Sequence, residues 1–187
     1  MAIEHDDFRR LIETHQRMVF SIALRVTGDY STAEEVAQDV FLALYRGAEK
    51  LESEDHMRFW LRRVAVHRAT DALRRKAVRP EATAEEWLEE QQLGDENREE
   101  TNIAVQTRLE DLMRGLPEPM RVAIVLRYQE EMLPDEIAQL LNQPVATVKS
   151  HLQRGLKLLR RKAAVTMKEY VREPSWRVEP TRRAEPA

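Results

Sequence analysis

Apolar residues recur at three- and four-residue spacing along most of this chain. That spacing places them on one side of an α-helix, whereas a half-buried strand needs strict alternation. The first such stretch runs from about Ile3 to Val26, and Gly28 follows it as a suitable helix stop. Only 5 glycines occur among 187 residues, and good helix formers dominate the composition. The sequence therefore predicts an all-α fold.

The helical patterns divide into two groups. In the first, a second helix opens near Ser31, where Glu34 has the capping-box spacing, and Ser53 can cap a third helix reaching about Lys76. The pattern then stops until Ile103. We predict one helical domain over 1–78, an acidic linker over 79–102, a second helical domain over 103–165 and a flexible tail over 166–187.

The stretch from Pro134 onward predicts a helix-turn-helix. Pro134 suits the first position of a helix, and Asn142 can adopt the left-handed conformation of a tight turn. A second helix then follows with an apolar back. Its remaining positions are short polar or basic, which is the composition that a helix needs to enter the major groove of DNA. An amphipathic helix with a solvated basic face is the plainer alternative.

Charge is segregated along the chain, although the net charge is only −3. Residues 58–79 carry a net charge of +7, and residues 147–162 carry six bases and no acid. Residues 29–55 and 80–104 are acidic, with net charges of −6 and −8. Phosphate attraction acts within a Debye length of about 10 Å, so local charge decides. The acidic segment between basic ones also suggests that the two domains fold together in the free protein and cover their basic faces.

The basic block near residue 60 is open to two interpretations. Phe59 and Trp60 stand beside Arg62 and Arg63, a mixture that single-stranded DNA binders use to hold phosphates and unstacked bases. The same aromatic residues can equally belong to the core, with solvated arginines around them. From the residues alone, neither interpretation is preferred.

Several classes of function lack the residues they require. The chain has no cysteine, which excludes disulfides, thiolate zinc sites and cysteine nucleophiles. No zinc-protease motif, glycine-rich phosphate loop or Ser/His/Asp order is present. We therefore predict no catalytic residues, no metal and no cofactor. No apolar run approaches the length of a membrane span, and the N-terminus lacks the features of a secretion signal, so we expect a cytoplasmic protein without membrane insertion.

Three stretches together resemble the extracytoplasmic-function (ECF) class of sigma factors in the sigma-70 family. TGDYSTAEEVAQDVFLALY resembles the polymerase-binding segment, and FWLRRVAVHRATDALRR resembles the segment that melts and reads the −10 element. The stretch from LEDLMRGLPEPM to GLKLLRRK resembles the fourth sigma domain, which reads −35. The resemblance covers about residues 6–77 and 103–164. It implies sigma domain two, a linker and sigma domain four.

The resemblance also implies a role for particular residues. Docking on the clamp helices of core RNA polymerase falls to Glu35, Gln38, Asp39 and Leu42. Reading of −10 DNA falls to Arg62, His67, Asp71, Arg74 and Arg75. Reading of −35 DNA falls to Thr147, Lys149, Ser150, His151, Arg154 and Lys157. An anti-sigma factor is implied as a further partner, besides core polymerase and promoter DNA.

The chain departs from the family pattern at several positions. His67 stands where asparagine is frequent and His151 where arginine is usual, which puts the base preference at both elements in doubt. Leu133 occupies a position that usually holds a Ser or Thr helix cap, whose loss costs about 1 kcal/mol. Asn142 and Ala146 replace two usual glycines of the turn.

The resemblance predicts an alternative sigma factor that directs promoter-specific initiation without being an enzyme. A stand-alone helix-turn-helix regulator is the main alternative. It would account for residues 134–162, but it would not explain the acidic face around Asp39. A hydrolase or metal enzyme built on Glu34, Glu35 and Asp39 has no supporting histidine at ligand spacing.

Overall fold

Three long helices form the first part of the computed structural model, which describes residues 5–47, 53–78 and 108–172. Helix α1 spans His5–Thr27, α2 spans Tyr30–Gly47 and α3 spans Glu54–Val78. Each of these helices packs against the other two. Every element in the described ranges is helical, which confirms the all-α prediction.

The interior of this bundle comes from the apolar stripes that the periodicity predicted. Their buried members include Val19, Ile22 and Val26 of α1, Val36, Val40 and Leu44 of α2, and Leu61, Ala65 and Ala69 of α3. Truncating one of the buried leucines to alanine would cost about 2–5 kcal/mol, because the lost transfer energy is compounded by the cavity that remains.

The second part of the fold begins with helical residues 108–114, here α4, and continues with α5 over Glu118–Ile124. A π-helical segment, Val125–Gln129, extends α5. Helix α6 spans Pro134–Leu141 and α7 spans Val145–Arg172. Residues 115–117 are not helical and separate α4 from α5. Helix α7 continues past residue 165, so the first residues of the predicted tail are helical; residues 79–107 and 173–187 lie outside the described ranges.

Helix starts agree with the sequence predictions in one case and differ in another. The Ser53 hydroxyl accepts a hydrogen bond from the His56 amide at 3.1 Å, as predicted for the cap of α3. Helix α2, however, begins one residue before Ser31, and the Asp29 carboxylate accepts from the Thr32 amide at 3.1 Å. Asp29 also bonds Lys76 near the end of α3 at 2.6 Å. The Ser31 cap was therefore predicted wrongly, since an acid two residues earlier takes that place.

The helix-turn-helix has the predicted turn. Asn142 lies in the left-handed region, with φ 51° and ψ 51°. Leu133 has no side-chain acceptor to offer, but its backbone amide donates to the Glu136 carboxylate at 2.6 Å. Of the two hydrogen bonds of a capping box, the one from the backbone amide at position 133 to the Glu136 carboxylate is present. The one that a side chain at position 133 would accept is missing.

The two parts of the fold contact one another. Helix α1 meets α5 and the π-helical segment, and α3 meets α6. Buried side chains of both parts belong to a single apolar cluster. The two domains contact each other as expected, but the expected covering of the basic faces is not found, because Arg74, Arg75, Arg154 and Lys157 are exposed. The predicted acidic linker lies outside the described residues.

Candidate nucleic-acid and protein interfaces

The outer side of α2 carries the residues predicted to bind protein. Glu35, Gln38, Asp39 and Leu42 are all exposed and recur at three- and four-residue spacing, so they form one stripe. Leu42 is 53% exposed, which is unusual for a leucine beside a well-packed bundle. An exposed stripe of two acids, an amide and a leucine has the mixed composition of a protein-binding surface.

A groove between α1 and α2 borders this stripe and shares Gln38 and Leu42 with it. The groove encloses about 920 Å³. Its ends carry two aromatic pairs in edge-to-face contact, Phe8 with Tyr45 at 5.1 Å and Phe20 with Tyr30 at 5.0 Å between ring centroids. Half-exposed aromatic rings beside a concave surface are typical anchors of protein interfaces. Sequence reasoning missed the groove, because it depends on how two helices are spaced.

Helix α3 does not bring all five predicted −10 residues together. His67, Asp71, Arg74 and Arg75 are exposed and lie on the same side of the helix. At 100° per residue, Arg62 instead aligns with the buried Val66 and Ala69, one and two turns further on. Arg62 therefore does not lie on the exposed side of α3, and its side chain is only 16% exposed.

Two other charged residues of this surface have partners in the structure. Arg68 approaches Asp39 of α2 at 4.0 Å, and Arg74 approaches Glu118 of α5 at 3.8 Å. Both arginines are largely exposed, so each pair is worth at most about 1 kcal/mol. The arginines can exchange these partners for phosphate groups at little cost.

His15 of α1 is buried and His67 of α3 is largely exposed, yet the pKa of each is lowered. Burial lowers the pKa of His15, an effect that Glu54 opposes and that Arg58 and Arg62 reinforce. Partial burial also lowers the pKa of His67, with Arg63 adding to the shift and Asp71 opposing it. His67 accordingly favours its neutral form, in which one ring nitrogen can accept a hydrogen bond and the other can donate one.

The second helix of the helix-turn-helix presents five of the six predicted −35 residues on one face. Thr147, Ser150, His151, Arg154 and Lys157 share this face, opposite the buried Val148 and Leu152. Lys149 is exposed but lies on the flank. Among the described residues, no ion pair involves this face. It can therefore meet an anion without first losing a partner.

His151 is one of three partly buried members of that face, together with Thr147 and Ser150. Its Nδ1 atom is buried and has no hydrogen-bond partner among the described residues. A buried nitrogen without an acceptor is better left unprotonated, so in the neutral ring Nε2 carries the hydrogen.

Two functional residues escaped the sequence analysis because their partners are distant in the chain. Glu130 pairs with Arg62 at 2.8 Å, although the two residues are 68 positions apart in the sequence. Arg121 is buried and donates to the Val26 carbonyl oxygen at 2.7 Å. Burial lowers its pKa, Glu118 opposes that shift and Arg114 reinforces it. Of these two residues, only Arg121 could have been found from the sequence. It stands four residues before Val125, on the apolar side of α5, and this spacing predicts a buried arginine.

Other classes of site find no support in the described part of the chain. No group of histidine, aspartate and glutamate side chains there has the arrangement of a metal site. No helix of residues 5–47, 53–78 or 108–172 is long and apolar enough to cross a bilayer.

Two family profiles match this chain, in the order that the fold displays. Sigma-70 region 2 matches residues 11–79, which include α2 and α3. Sigma-70 region 4 matches residues 106–159, which include the helix-turn-helix. Together they cover about two thirds of the chain.

Individual proteins match over a larger share of the chain. The ECF RNA polymerase sigma factor SigW of Bacillus subtilis is 26% identical over 167 residues, covering 84% of this chain and 89% of SigW. The ECF RNA polymerase sigma-E factor of Haemophilus influenzae is 29% identical over 164 residues, covering 83% and 86%. The sigma factor RpoE, solved with the anti-sigma factor NepR from Bartonella quintana, superimposes with a TM-score of 0.64 at 16% identity, covering 85% of this chain and 98% of RpoE.

Proposed function

Since this chain belongs to the sigma-70 family, in its extracytoplasmic-function group, we propose that α2 docks it on core RNA polymerase while α3 and α7 read promoter DNA. It is an alternative sigma factor, and it directs initiation to particular promoters. Its action is recruitment rather than catalysis, and its place is the cytoplasm, where polymerase and promoters are.

The exposed stripe of α2 supports this proposal over a stand-alone regulator. A regulator needs only a DNA-binding face such as that of α7. It has no need for Glu35, Gln38, Asp39 and Leu42 on a separate exposed surface next to an aromatic groove. The presence of both surfaces on one chain favours a protein that bridges polymerase and DNA.

DNA reading is divided between two helices in this proposal. Helix α7 enters the major groove of the −35 duplex, where His151 and Arg154 contact base edges and Lys157 contacts phosphate. Helix α3 meets the melted −10 strand with His67, Asp71, Arg74 and Arg75. Arginines hold phosphates there, and Asp71 and His67 supply acceptors for base edges.

An anti-sigma factor completes the set of proposed partners. The RpoE relative was solved with such a factor. In this chain, the groove between α1 and α2 is the suitable place for one, because a partner seated against Leu42 and Gln38 would cover the docking stripe. Binding of the anti-sigma factor and of polymerase would then be mutually exclusive.

Mixing the purified chain with sigma-free core polymerase tests the proposal. We expect co-elution in gel filtration and new, sequence-specific transcripts from a promoter library. Asp39→Arg should weaken core association about tenfold or more, since a reversed charge in a docking stripe adds repulsion to the lost contact. Asp55→Arg, the same reversal on an exposed residue of α3, is the matched control. Absence of co-elution, with tight binding of the chain alone to a duplex site, would favour the stand-alone regulator.

A further inference from the structure

The groove between α1 and α2 has a charged end and an uncharged end. At the charged end, Tyr30 is 50% exposed and its ring meets that of Phe20 edge to face. Glu34 and Arg17 line the groove one turn further along α2 and α1. Among the described residues, neither of these two has an ion-pair partner. The opposite end, at Tyr45, has no charged lining residue.

Helix α7 comes close to the charged end of the groove. Lys162 of α7 donates to the Gly115 carbonyl oxygen at 2.7 Å. The side chain of the adjacent Arg114 lies 3.0 Å from the position that a β-carbon on Gly28 would take. Gly28 is in the turn between α1 and α2, two residues before Tyr30. Arg114 and Gly115 thus bridge α7 and this turn.

The chain beyond α7 is long enough to reach the groove. From Lys162 the helix continues to Arg172, about 15 Å further at 1.5 Å per residue. Residues 173–187, which lie outside the described ranges, can span up to about 50 Å when extended. The tail can therefore return to the turn between α1 and α2 even if α7 runs directly away from it. The charged end is the part of the groove that it meets first.

The composition of residues 173–187 suits this end of the groove. Trp176 is their one aromatic residue. A tryptophan side chain buries about 150–250 Å² and prefers edge-to-face or offset contact with other rings, which Tyr30 offers. The next charged residues are Arg177 and then Glu179, opposite in sign like the two charges that line the groove. Both the apolar and the charged groups of the groove therefore have a counterpart in the tail.

We propose that the C-terminal tail, residues 173–187, binds the charged end of the groove, with Trp176 against Tyr30 and Phe20 and with Arg177 paired to Glu34. A tethered segment has an effective concentration of about a millimolar or more over a short connection, so a weak contact is sufficient to keep the tail bound. This binding does not rest on the proposed function.

The bound tail has a consequence for partners, and this consequence does rest on the proposed function. The groove shares Gln38 and Leu42 with the docking stripe of α2. A partner that enters the groove must therefore displace the tail, and its apparent affinity falls by the fraction of molecules in which the groove is empty. The tail sets the affinity that a partner must exceed before it can bind.

Distance measurements between two spin labels test the binding of the tail in the full chain. The chain contains no cysteine, so Glu13→Cys on the exposed side of α1 and Thr181→Cys in the tail provide two specific label sites. Without further change, we expect one narrow distance distribution that does not depend on protein concentration. Trp176→Ala should broaden it and shift it to longer distances. Trp87→Ala is the matched control and should leave it unchanged.

Variants of the groove test the same contact from the other side. Tyr30→Ala removes a ring at the charged end and should broaden the distribution, whereas Tyr45→Ala, the same change at the uncharged end, should not. Glu34→Arg should also broaden it. Combining Glu34→Arg with Arg177→Glu should restore the narrow distribution, because the two charges are again opposite. A general loss of fold would not be reversed in this way.

Core polymerase association gives the functional readout, and Trp176→Ala should bind about fivefold tighter than Trp87→Ala. A broad distribution in the otherwise unchanged chain would overturn the proposal. So would broadening by Trp87→Ala but not by Trp176→Ala, which would assign the groove to the acidic segment, or a narrow distribution that is lost on dilution, which would assign it to a second copy. Changed distances with equal polymerase association would overturn only the competition with polymerase, since the distances are measured without it.

Discussion

Helices α3 and α7 carry similar basic sequences but differ in how accessible those bases are. Arg62 of α3 is paired with Glu130, and Arg74 lies 3.8 Å from Glu118, so part of the basic charge of α3 already has a partner within the protein. The α7 face, with Arg154 and Lys157 exposed, has no ion pair among the described residues. Judged by their charge along the sequence alone, both segments are equally good candidates for binding an anion. Whether a basic side chain is free to bind an anion depends on which side chains of the fold lie next to it.

The largest effect should come from changing the back of α7 rather than its face. A β-carbon at Gly155 would lie 2.6 Å from the Ile124 side chain and 3.3 Å from Met120. Gly155→Val should therefore destabilise the fold by about 2 kcal/mol through overpacking against α5, measured by urea unfolding. Gly47→Ala is the control, because nothing lies within 4 Å of the position that its added carbon would take. Equal stabilities of the two variants would show that α7 does not depend on this close contact.

Binding of −35 duplex DNA should separate the face of α7 from its flank. Arg154→Ala removes an exposed cation from the face and should weaken binding about tenfold, as expected for a lost base contact worth about 1–3 kcal/mol. Lys149→Ala, on the flank, should cost less and act mainly on the salt dependence, as a phosphate contact does. Titration at several salt concentrations checks both. A larger loss for Lys149→Ala would mean that α7 enters the groove with its flank.

Acid should destabilise the α1–α3 bundle through His15. Its folded pKa lies below the unfolded value of about 6.5, since burial disfavours the imidazolium. As the pH falls below that value, the unfolded chain takes up the proton first, so stability is lost between neutral pH and the folded pKa. His15→Gln should reduce this loss, measured as Tm from pH 7 to pH 5, while His56→Gln on the surface should not. An unchanged slope in His15→Gln would place the acid sensitivity elsewhere.

The smallest effect should come from the outer pair between the domains. Arg74 and Glu118 are 3.8 Å apart and Arg74 is 68% exposed, so Glu118→Gln should change the free energy of unfolding by less than about 0.5 kcal/mol. Urea unfolding measures it beside Glu130→Gln. A cost equal to that of Glu130→Gln would show that exposure does not decide which pair holds the domains together.

Local features of the fold were predictable from sequence, and distant ones were not. The apolar spacing in α1 to α3 and the left-handed Asn142 follow from neighbours within a few residues, and the structure has both. The prediction of Ser31 as the cap of α2 was wrong, because Asp29 is an equally suitable cap nearby. Asp29 is also hydrogen-bonded to Lys76 at the far end of α3, a contact that the local sequence does not reveal. The Arg62–Glu130 pair has no local signature, because it exists only after the domains meet.

The assignment of site residues was limited in the same way. Helical spacing alone would have separated Arg62 from the other α3 residues, since it aligns with Val66 and Ala69 rather than with His67 or Arg74. The family pattern grouped them by sequence, without regard to the side of the helix. That grouping remains a prediction, and so do the roles of the α2 and α7 residues.

The length of α7 has a mechanical consequence. The helix continues from Gly155, where it rests closely against Ile124, to Arg172, a distance of about 26 Å at 1.5 Å per residue. Beyond Gly155 the helix is held once more, where Lys162 donates to the Gly115 carbonyl oxygen at 2.7 Å, so a tilt about Gly155 would have to break or move that contact. A tilt of about 10° when the N-terminal half enters a DNA groove would swing the far end by about 4 Å. A label placed on the exposed Arg161 of α7 would report such a tilt as a displacement that grows with its distance from Gly155.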